Sequence, residues 1–459
     1  MRFANRLITA TQDALSDPWR LPHFWPKPLD VWFGYHVLLA PVTLLLPLIL
    51  AAKFVGAFMW GAIGFVLQEL ADVLSIRWAR AWVILALCGS SIVLYRATLV
   101  RPFLLSLLLM LLVTRYVIEE RAVAIGVSSF IHALSYSIFF MPALPVVLYL
   151  FLRRTRRSVI MTAACLGGLL LGIAANPFFP ENVKFSLAQV LTPFEPGSAE
   201  LLDIGMEVRP INIWWLAVTI PVFAVWLPAL VIIIAQFRRR RASIAQVLLL
   251  AMSVLLLIGS FRVSRTIDLF VPFAVLFAAS VLSPWLDPHR EKAQFAFGLL
   301  CILAAAGMIP ALGTIRSAPS ITRFQGASQF LEQAAINQTV LNTHWEQYPF
   351  LYFWNWRSRY VTGIDPTFLY RNDTGRYWLW RHLSDDSAAT CPEQICTERN
   401  TIPVEEAMVT GIRARYAVVE PSKNPKLLAV LRASTKVKEA YQDSNVSVFE
   451  LLEASAEKQ

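Results

Sequence analysis

The chain has 459 residues, of which 56% are hydrophobic and 16% are charged, and its formal net charge is +10. Soluble globular chains carry roughly 25% charged residues, so this deficit excludes an ordinary soluble protein and indicates a polytopic membrane protein. The positive charge does not indicate a nucleic-acid partner, because the basic clusters stand at the ends of apolar runs, where loop charge sets membrane topology.

Ten apolar runs follow one another before residue 313, and each satisfies or approaches the ~20 residues that a spanning helix needs. They occupy 51–70, 79–99, 102–118, 123–136, 139–152, 158–175, 213–236, 244–260, 267–286 and 294–312. The sequence therefore predicts a bundle of about ten transmembrane helices within 51–313. Residues 1–50 are predicted to form an outward N-terminal segment, in which the run 37–50 fits an interfacial helix as well as a span.

Clusters of Lys and Arg predict the orientation of this bundle. Arg153–Arg157 and Arg238–Arg241 mark cytoplasmic loops under the positive-inside rule. An alternating path through the spans then places the loop 176–212 and everything after Gly313 on the opposite side. We therefore expect a multi-pass protein of the bacterial cytoplasmic (inner) membrane whose residues 314–459 are extracytoplasmic.

After about residue 315 charges return, and short strand-like runs alternate with helical patterns. The runs are TVLNTH, SRYVTGI, RYAVVEP and SVFEL, and NPKLLAVLRAS has a helical pattern. This alternation predicts an extracytoplasmic α/β domain over 314–459. Cys391 and Cys396 in CPEQIC are either two free thiols or, in an oxidising compartment, a short-loop disulfide, which we favour. With no His or further Cys close in sequence, the pair is a poor zinc site.

The segment SRYVTGIDPTFLYRNDTGRYWLW (358–380) mixes rings, carboxylates and arginines as binding surfaces do. We expect it to face the membrane bundle, with Asp365 and Tyr370 contacting the substrate. Its remaining rings either stack on sugar faces, lie at the membrane interface, or form the core of the domain itself. The rings in question are Tyr377, Trp378 and Trp380.

Few ionisable groups lie at the outward ends of the spans, where a charge is costly and is a functional candidate by default. They are Asp30, His36, Arg96, Arg101, His132, Arg262, Arg265 and Asp268, with Glu200, Asp203, Glu207 and Arg209 in the long loop. Several arginines around a carboxylate fit a phosphate-bearing substrate, because arginines bind the anion and the carboxylate acts as a base.

Structural interpretations of these residues remain open. They are a helix cap for Asp30, an interfacial anchor for His36, a core hydrogen bond for His132, a snorkelling flank for Arg101 and a local ion pair for Arg265 with Asp268. The functional interpretation is favoured by the single membrane side that they share.

Four stretches resemble the type-C glycosyltransferases, membrane enzymes that take a sugar from a polyprenyl-phosphate carrier. The stretches are DVWFGYHVLLAPV, YRATLVRPFLLS, NPFFPENVKF and WEQYPFLYFWNWRSRYVTGIDPTFLY. The resemblance implies transfer of a sugar from a polyprenyl-phosphate-linked donor to an extracytoplasmic lipid, glycan or protein acceptor, within surrounding membrane lipids. We assign Asp30 to catalysis, and to substrate binding His36, Arg96, Arg101, Arg262, Arg265, Asp268, Asp365 and Tyr370.

Two departures from the family shape these expectations. Members begin with a transmembrane helix, whereas the start MRFANRLITATQDAL resembles the middle of the outward loop that follows it, so we expect a first helix to be missing. Arg101–Pro102 stands where oligosaccharyltransferases carry an acidic pair for a metal, so a divalent metal is not supported and we expect no cofactor. The alternative function is a non-catalytic transporter or cell-envelope assembly component whose outward domain binds glycan or a partner.

Overall fold

The structure is a computed structural model that describes residues 16–195, 202, 205–286 and 290–452. The expected loop remnant at residues 1–15 and the candidate residues Glu200 and Asp203 lie outside the described residues. The described chain forms a helical bundle followed by a small domain built on one sheet.

The helices of the bundle are α1 (Phe33–Leu45), α2 (Leu48–Val73), α3 (Ala79–Cys88), α4 (Ser91–Ala97), α5 (Phe103–Ile118), α6 (Ala122–Ser135), α7 (Ala143–Leu152), α8 (Arg156–Ala174), α9 (Glu181–Leu191), α10 (Ile213–Ala217), α11 (Ile220–Arg238), α12 (Ile244–Ser260), α13 (Ile267–Leu282) and α14 (Arg290–Arg316). The domain consists of α15 (Gln325–Ala334), β1 (Thr339–Asn342), α16 (Tyr348–Trp354), β2 (Arg359–Tyr360), α17 (Pro366–Asn372), α18 (Thr374–Ser384), α19 (Val404–Ala407), β3 (Tyr416–Val419), α20 (Pro425–Ala433), β4 (Val437–Gln442) and β5 (Ser447–Leu451).

The bundle is that of a multi-pass membrane protein. Among the described residues five helices are long and apolar enough to span a membrane, namely α2, α8, α11, α13 with its preceding turn, and α14. The helices α3 and α4 add a sixth span if the pair counts as one. The count of ten is therefore not confirmed, because α1, α5, α6, α7 and α12 are apolar but have only 10–17 residues.

The run predicted at 79–99 is not one straight helix, since α3 and α4 meet at an angle of 80°. Polar contacts to two other helices lie at this bend. The hydroxyl of Ser90 hydrogen-bonds the Thr219 hydroxyl at 2.9 Å, and the hydroxyl of Ser91 donates to the Gly307 carbonyl at 2.6 Å. A broken helix inside a membrane is tolerated where neighbouring helices satisfy its polar groups, and these contacts do so.

Helices α6 and α8 approach closely through glycines. A Cβ atom on Gly168 would lie 2.1 Å from the carbonyl oxygen of Gly126, and one on Gly172 would lie 2.4 Å from that of Phe130. Because lipid gives no hydrophobic drive for helix association, such close backbone packing supplies much of the attraction. The contact fixes the end of α6, which reaches the candidate site.

The domain has a five-stranded sheet in the order β2-β1-β3-β5-β4. Strands β2, β1 and β3 are parallel, whereas β5 is antiparallel to both β3 and β4. The α/β architecture is as predicted, although β2 covers two residues of its predicted run. The pattern missed β4 because this edge strand, VKEAYQ, carries charges along an exposed rim.

Residues 16–32 connect the domain to the bundle. The backbone N–H of Tyr360 in β2 donates to the Arg20 carbonyl at 2.8 Å, and the Tyr348 hydroxyl donates to the Trp19 carbonyl at 2.6 Å. The ring of Phe368 stacks on Phe185 of α9 with centroids 4.1 Å apart. The sheet therefore lies over one end of the bundle, with residues 16–32 packed between them as part of one apolar cluster.

Candidate functional site

Three arginines and two carboxylates meet at the end of the bundle beneath the domain, and we call this group the arginine cluster. Its members are Arg96 at the end of α4, Arg101 in the next loop, Arg265 in the turn before α13, Asp268 in α13, and Glu207 in the loop before α10. The sequence predicted that the three arginines and Asp268 share one membrane side, and the structure brings them into contact.

Glu207 is the centre of the cluster. Its Oε2 accepts hydrogen bonds from Nη1 of Arg96 at 2.9 Å and from Nη1 of Arg101 at 2.5 Å. Its Oε1 accepts a hydrogen bond from Nη2 of Arg265 at 2.5 Å. Charge-assisted bonds of this kind are roughly twice as strong as neutral ones, so Glu207 holds three separate segments of chain together.

Backbone bonds fix the position of the loop that carries Glu207. The N–H of Arg265 donates to the Glu207 carbonyl at 3.0 Å, and the N–H of Ser264 donates to the Arg209 carbonyl at 2.9 Å. The Ile211 N–H donates to the Ser260 carbonyl at 3.0 Å. The backbone of Glu207 is therefore tied to the turn before α13.

The Glu207 carboxyl remains ionised across the physiological range. Burial alone would raise its pKa, but the nearby guanidiniums of Arg265, Arg101 and Arg96 outweigh burial and hold the pKa well below its usual range. The cluster thus contains a permanent anion.

Arg96 and Asp268 form the closed floor of the cluster. Nε of Arg96 donates to Oδ2 of Asp268 at 2.7 Å, and the two side chains are 4% and 1% exposed. Oδ1 of Asp268, Nη2 of Arg96 and Nε of Arg265 have no hydrogen-bond partner within the described ranges. Asp268 and Arg265 line a cavity of about 30 Å³, which is large enough for one water molecule to bond Oδ1 of Asp268 and Nε of Arg265.

His132 lies behind this cavity rather than in the cluster. Its Nε2 and the hydroxyl of Ser106 are 2.8 Å apart, and the histidine is fully buried. Ser106 and Tyr136 are on the cavity wall. The alternative that His132 is a hydrogen-bonded core histidine therefore fits the geometry.

Asp30 and His36 form a separate buried pair. Oδ2 of Asp30 is 2.8 Å from Nδ1 of His36, while Oδ1 accepts the N–H of Trp32 at 3.0 Å. Asp30 is fully buried and its backbone carbonyl accepts the side-chain amide of Asn176 at 3.2 Å. Asp30 precedes α1 but accepts no N–H from the first turn of that helix among the described residues.

The Asp30 pair and the arginine cluster flank the end of α6. Gly34 in α1 packs on Ser135, since a Cβ atom at Gly34 would lie 2.6 Å from the Ser135 hydroxyl. The next residue, Tyr136, lines the small cavity together with Arg265. Asp30 and Arg101 do not line this small cavity. The expectation that Asp30, Arg101 and Arg265 approach one cavity therefore stays a prediction.

The carboxyl ends of two parallel strands point toward the cluster. Asp365 follows β2, accepts the N–H of Thr367 at 2.9 Å as the cap of α17, and lies within electrostatic range of Arg265. The ring of Trp345, which follows β1, lies against Gly205 in the loop of Glu207. The edge of the sheet and the mouth of the bundle therefore enclose the cluster from two sides.

The segment 358–380 contributes to this contact through the ring of Phe368, which stacks on Phe185, and through two arginines. Nη1 of Arg376 is 2.6 Å from Nδ1 of His23, and Arg371 forms an ion pair with Glu195. Tyr370 is half-buried with its ring 5.1 Å from that of Tyr377. The rings left open by the sequence are core: Tyr377, Trp378 and Trp380 are buried in the domain.

Two predicted arginines stay outside the arginine cluster. The Arg262 guanidinium lies 5.5 Å from the centre of the Phe194 ring in a cation–π contact. Arg209 contributes its backbone carbonyl to the loop, as described above, and its Nε has no hydrogen-bond partner within the described part of the chain. Both lie next to cluster residues in sequence, which is why the sequence did not separate them.

Cys391 and Cys396 are joined by a disulfide with Cα atoms 5.6 Å apart. Contrary to the sequence expectation of no nearby histidine, Nδ1 of His382 lies 3.4 Å from the Cys396 sulfur. These three residues are the grouping of potential metal ligands found among the described residues, but two of the three ligand atoms are bonded to each other.

Sequence reasoning did not single out Glu207. It stood among four charged residues of the long loop, and its arginines lie 111, 106 and 58 residues away along the chain. The available signal was a carboxylate within a loop predicted to face outward, in a chain whose neighbouring predicted outward loops carry arginines.

Comparison with protein families found no family model that matches the chain, and comparison with curated proteins found no match. Solved structures do match. The oligosaccharyltransferase AglB from Archaeoglobus fulgidus, solved with an inhibitory peptide and a dolichol-phosphate, aligns with a TM-score of 0.62 at 10% identity over 94% of this chain. The chain spans 66% of that enzyme.

ArnT from Cupriavidus metallidurans also matches. Its complex with undecaprenyl phosphate aligns with a TM-score of 0.57 at 13% identity, over 100% of this chain and 94% of ArnT. The apo form aligns with a TM-score of 0.55 at 12% identity. The predicted resemblance to the type-C glycosyltransferases is confirmed as a likeness of fold.

Proposed function

We propose that the protein is a membrane glycosyltransferase that takes a sugar from a polyprenyl-phosphate donor and transfers it to an acceptor outside the cytoplasm. The observation that carries the proposal is the arginine cluster at the mouth of the bundle. Two of its arginines, Arg101 and Arg265, are 41% and 20% exposed. Guanidiniums bind phosphate oxygens in planar, bidentate geometry, so these two are placed to receive a lipid phosphate.

The fold supports the same class of donor. AglB was solved with a dolichol-phosphate and ArnT with undecaprenyl phosphate, and both share the bundle and the domain over nearly the whole of this chain. In our proposal the shorter apolar helices also reach across the membrane, giving the ten predicted spans, and the polyprenyl chain lies along the apolar bundle with its phosphate at the cluster.

In the proposed reaction the acceptor hydroxyl oxygen bonds to the anomeric carbon as the bond from that carbon to the phosphate oxygen breaks. The hydroxyl proton passes to the Asp30–His36 pair, and the polyprenyl phosphate leaves with the bonding electrons. Arg101 and Arg265 stabilise the charge that develops on the leaving phosphate, which is where preorganised cations lower a barrier most. His36 is bonded to Asp30 and therefore belongs to the proton-accepting side of the site.

The test uses the full chain in lipid nanodiscs with a lipid-linked sugar whose transfer is followed by radiolabel. Arg101→Ala is expected to abolish donor binding, whereas Asp30→Asn should keep donor binding and stop transfer. Arg153→Ala, in a cytoplasmic loop on the predicted topology, is the matched control and should change neither. If Arg101→Ala binds donor like the unaltered protein, the proposal is wrong.

The alternative function has its own outcome in this test. Failure of transfer with every donor, together with glycan binding by the outward domain, would favour a non-catalytic transporter or envelope component.

The proposed location is the bacterial inner membrane with the sheet domain on the outer side. Lys423 is a partly exposed position on that domain, with a third of its side chain open to solvent. In a background without the free cysteines, Lys423→Cys should react with a membrane-impermeant thiol reagent in intact spheroplasts. Labelling only after lysis would place the domain in the cytoplasm.

A further inference from the structure

The carboxylate of Glu207 already occupies the centre of the arginine cluster. It accepts a hydrogen bond from one nitrogen of each of three guanidiniums, with N···O distances of 2.5 to 2.9 Å. A guanidinium has five N–H donors. Most donors of Arg101 and Arg265 are therefore not used by Glu207, and these two side chains are partly exposed while Arg96 is closed off by Asp268.

The directly bonded charges of the arginine cluster sum to a small positive net charge. Three guanidiniums face Glu207 and Asp268, so the bonded group carries one net positive charge. Asp365 lies within electrostatic range of Arg265 and reduces the field further. Of the other nearby cations, Arg262 is held over the ring of Phe194, and Nε of Arg209 has no hydrogen-bond partner among the residues that the structure describes. A phosphate entering between Arg101 and Arg265 meets repulsion from Glu207 as well as attraction from the arginines.

We propose that Glu207 is the specificity-determining residue of this site and restricts it to a singly charged phosphodiester, as in a sugar linked to its lipid through one phosphate. This inference rests on the proposed function, because it names which class of lipid carrier the site accepts. A diphosphate-linked carrier brings about two or more negative charges, and its repulsion by a fixed carboxylate is correspondingly larger.

The backbone bond of Glu207 keeps its carboxylate near the arginines when a ligand enters, so the discrimination between phosphates persists. The Glu207 carbonyl is bonded to the Arg265 N–H, so the carboxylate cannot leave the cluster by movement of the loop alone without breaking that bond. Rotation of the side chain is the remaining escape, and with the backbone bonded to Arg265 it keeps the negative charge on the same loop beside the cluster. The repulsion therefore persists in the liganded state, where it affects affinity.

If Glu207 only positioned the arginines, the Glu207→Gln change would have the opposite effect on the affinity for anions. If Glu207 simply held the three arginines in place, its neutral isostere would loosen them and weaken the binding of every anion. If Glu207 sets the charge of the site, the isostere Glu207→Gln keeps the shape, removes the repulsion and strengthens binding, most of all for the more highly charged headgroup.

The experiment compares three probes with the same C15 chain on the full protein in nanodiscs: farnesyl methyl phosphate, farnesyl phosphate and farnesyl diphosphate. The unaltered protein should prefer the methyl diester. Glu207→Gln should bind the diester about tenfold more tightly, and the diphosphate more tightly still, so that the preference is reversed or lost. Glu181→Gln removes a carboxylate outside the cluster, bonded to Lys184 and Trp25, and should leave the preference unchanged.

The outcomes separate the two proposals. Weaker binding of all three probes to Glu207→Gln, or an equal gain for all three, would overturn the charge-selection role while leaving the phosphate site intact. Binding of no probe by the unaltered protein, with no effect of Arg101→Ala, would instead overturn the proposed function. A thermal unfolding curve for each variant shows whether a loss reflects misfolding, and the conservative Glu207→Asp variant should keep the diester preference.

Discussion

Replacement of Arg96 by Met is expected to destabilise the protein more than replacement of Asp268 by Leu, although the two residues form one ion pair. Within the described residues Asp268 receives its side-chain hydrogen bond from Arg96, so Arg96→Met leaves a fully buried carboxylate without it. Arg96 has a second partner in Glu207 at 2.9 Å, so Asp268→Leu leaves that guanidinium still paired. The structure thus predicts an asymmetric pair.

The magnitudes follow from the cost of an unpaired buried charge. Removing one partner of a buried pair costs about 3–5 kcal/mol, and we expect Arg96→Met at that level and Asp268→Leu at roughly half of it. The double variant replaces both charges by apolar side chains of similar size. It should be less destabilised than Arg96→Met alone, because replacing a whole buried pair is often neutral.

The assay is equilibrium unfolding of the purified protein in mixed detergent, followed by tryptophan fluorescence. The matched control is Arg157→Met. It removes an ion pair with Glu120 in which the Arg157 side chain is 75% exposed, and it should cost no more than about 1 kcal/mol. Equal losses for the two single variants, adding up in the double variant, would show that the pair is not energetically coupled and would refute the reasoning.

Three further predictions concern packing, the disulfide and pH. Gly168→Ala should disrupt the α6–α8 contact, because its Cβ would lie 2.1 Å from a backbone oxygen. The neighbouring Gly167→Ala meets nothing within 4 Å and should be neutral or stabilising, and thermal unfolding of the two variants measures the difference. Replacing Cys391 and Cys396 by Ser should cost about 2 kcal/mol of unfolding free energy, as expected for a short closed loop, and a reductant should then no longer affect the protein. Burial, assisted by Arg376, lowers the pKa of His23 from 6.5 to about 4, so the unfolded chain binds the proton more readily than the folded chain. The free energy of unfolding should therefore fall as the pH drops from about 6.5 toward 4. A His23→Gln variant that shows the same fall would contradict this.

The sequence predicted what depends on local pattern. Apolar runs indicated the bundle, and the helix at Pro425–Ala433 and the strand at Ser447–Leu451 appear where their patterns placed them. The bend between α3 and α4 was not predictable in this way. The hydrogen-bond partners of its serine hydroxyls, Thr219 just before α11 and Gly307 in α14, lie far away along the chain.

The arrangement of the arginine cluster was beyond what the sequence could predict. Topology put the arginines on one side, but their common partner Glu207 is a product of tertiary packing between segments far apart in the chain. The rings of Tyr377 and Trp380 illustrate the same limit, since spacing on a helix does not tell whether a face meets a ligand or the rest of its own domain.

The contact of residues 19–23 with the sheet domain has a consequence for biosynthesis. The bonds from Tyr348 to Trp19 and from Arg376 to His23 join residues 329 and 353 positions apart. A ribosome that adds about 5–20 residues per second needs roughly 15 to 70 s to make that interval. During this time the early segment, with Trp19 and Phe24, has no sheet to pack against, and the entire bundle must be inserted first. Packing of the sheet domain on this early segment is therefore among the last events in the maturation of the chain. Before it, the nascent protein is most exposed to proteases and to misassembly.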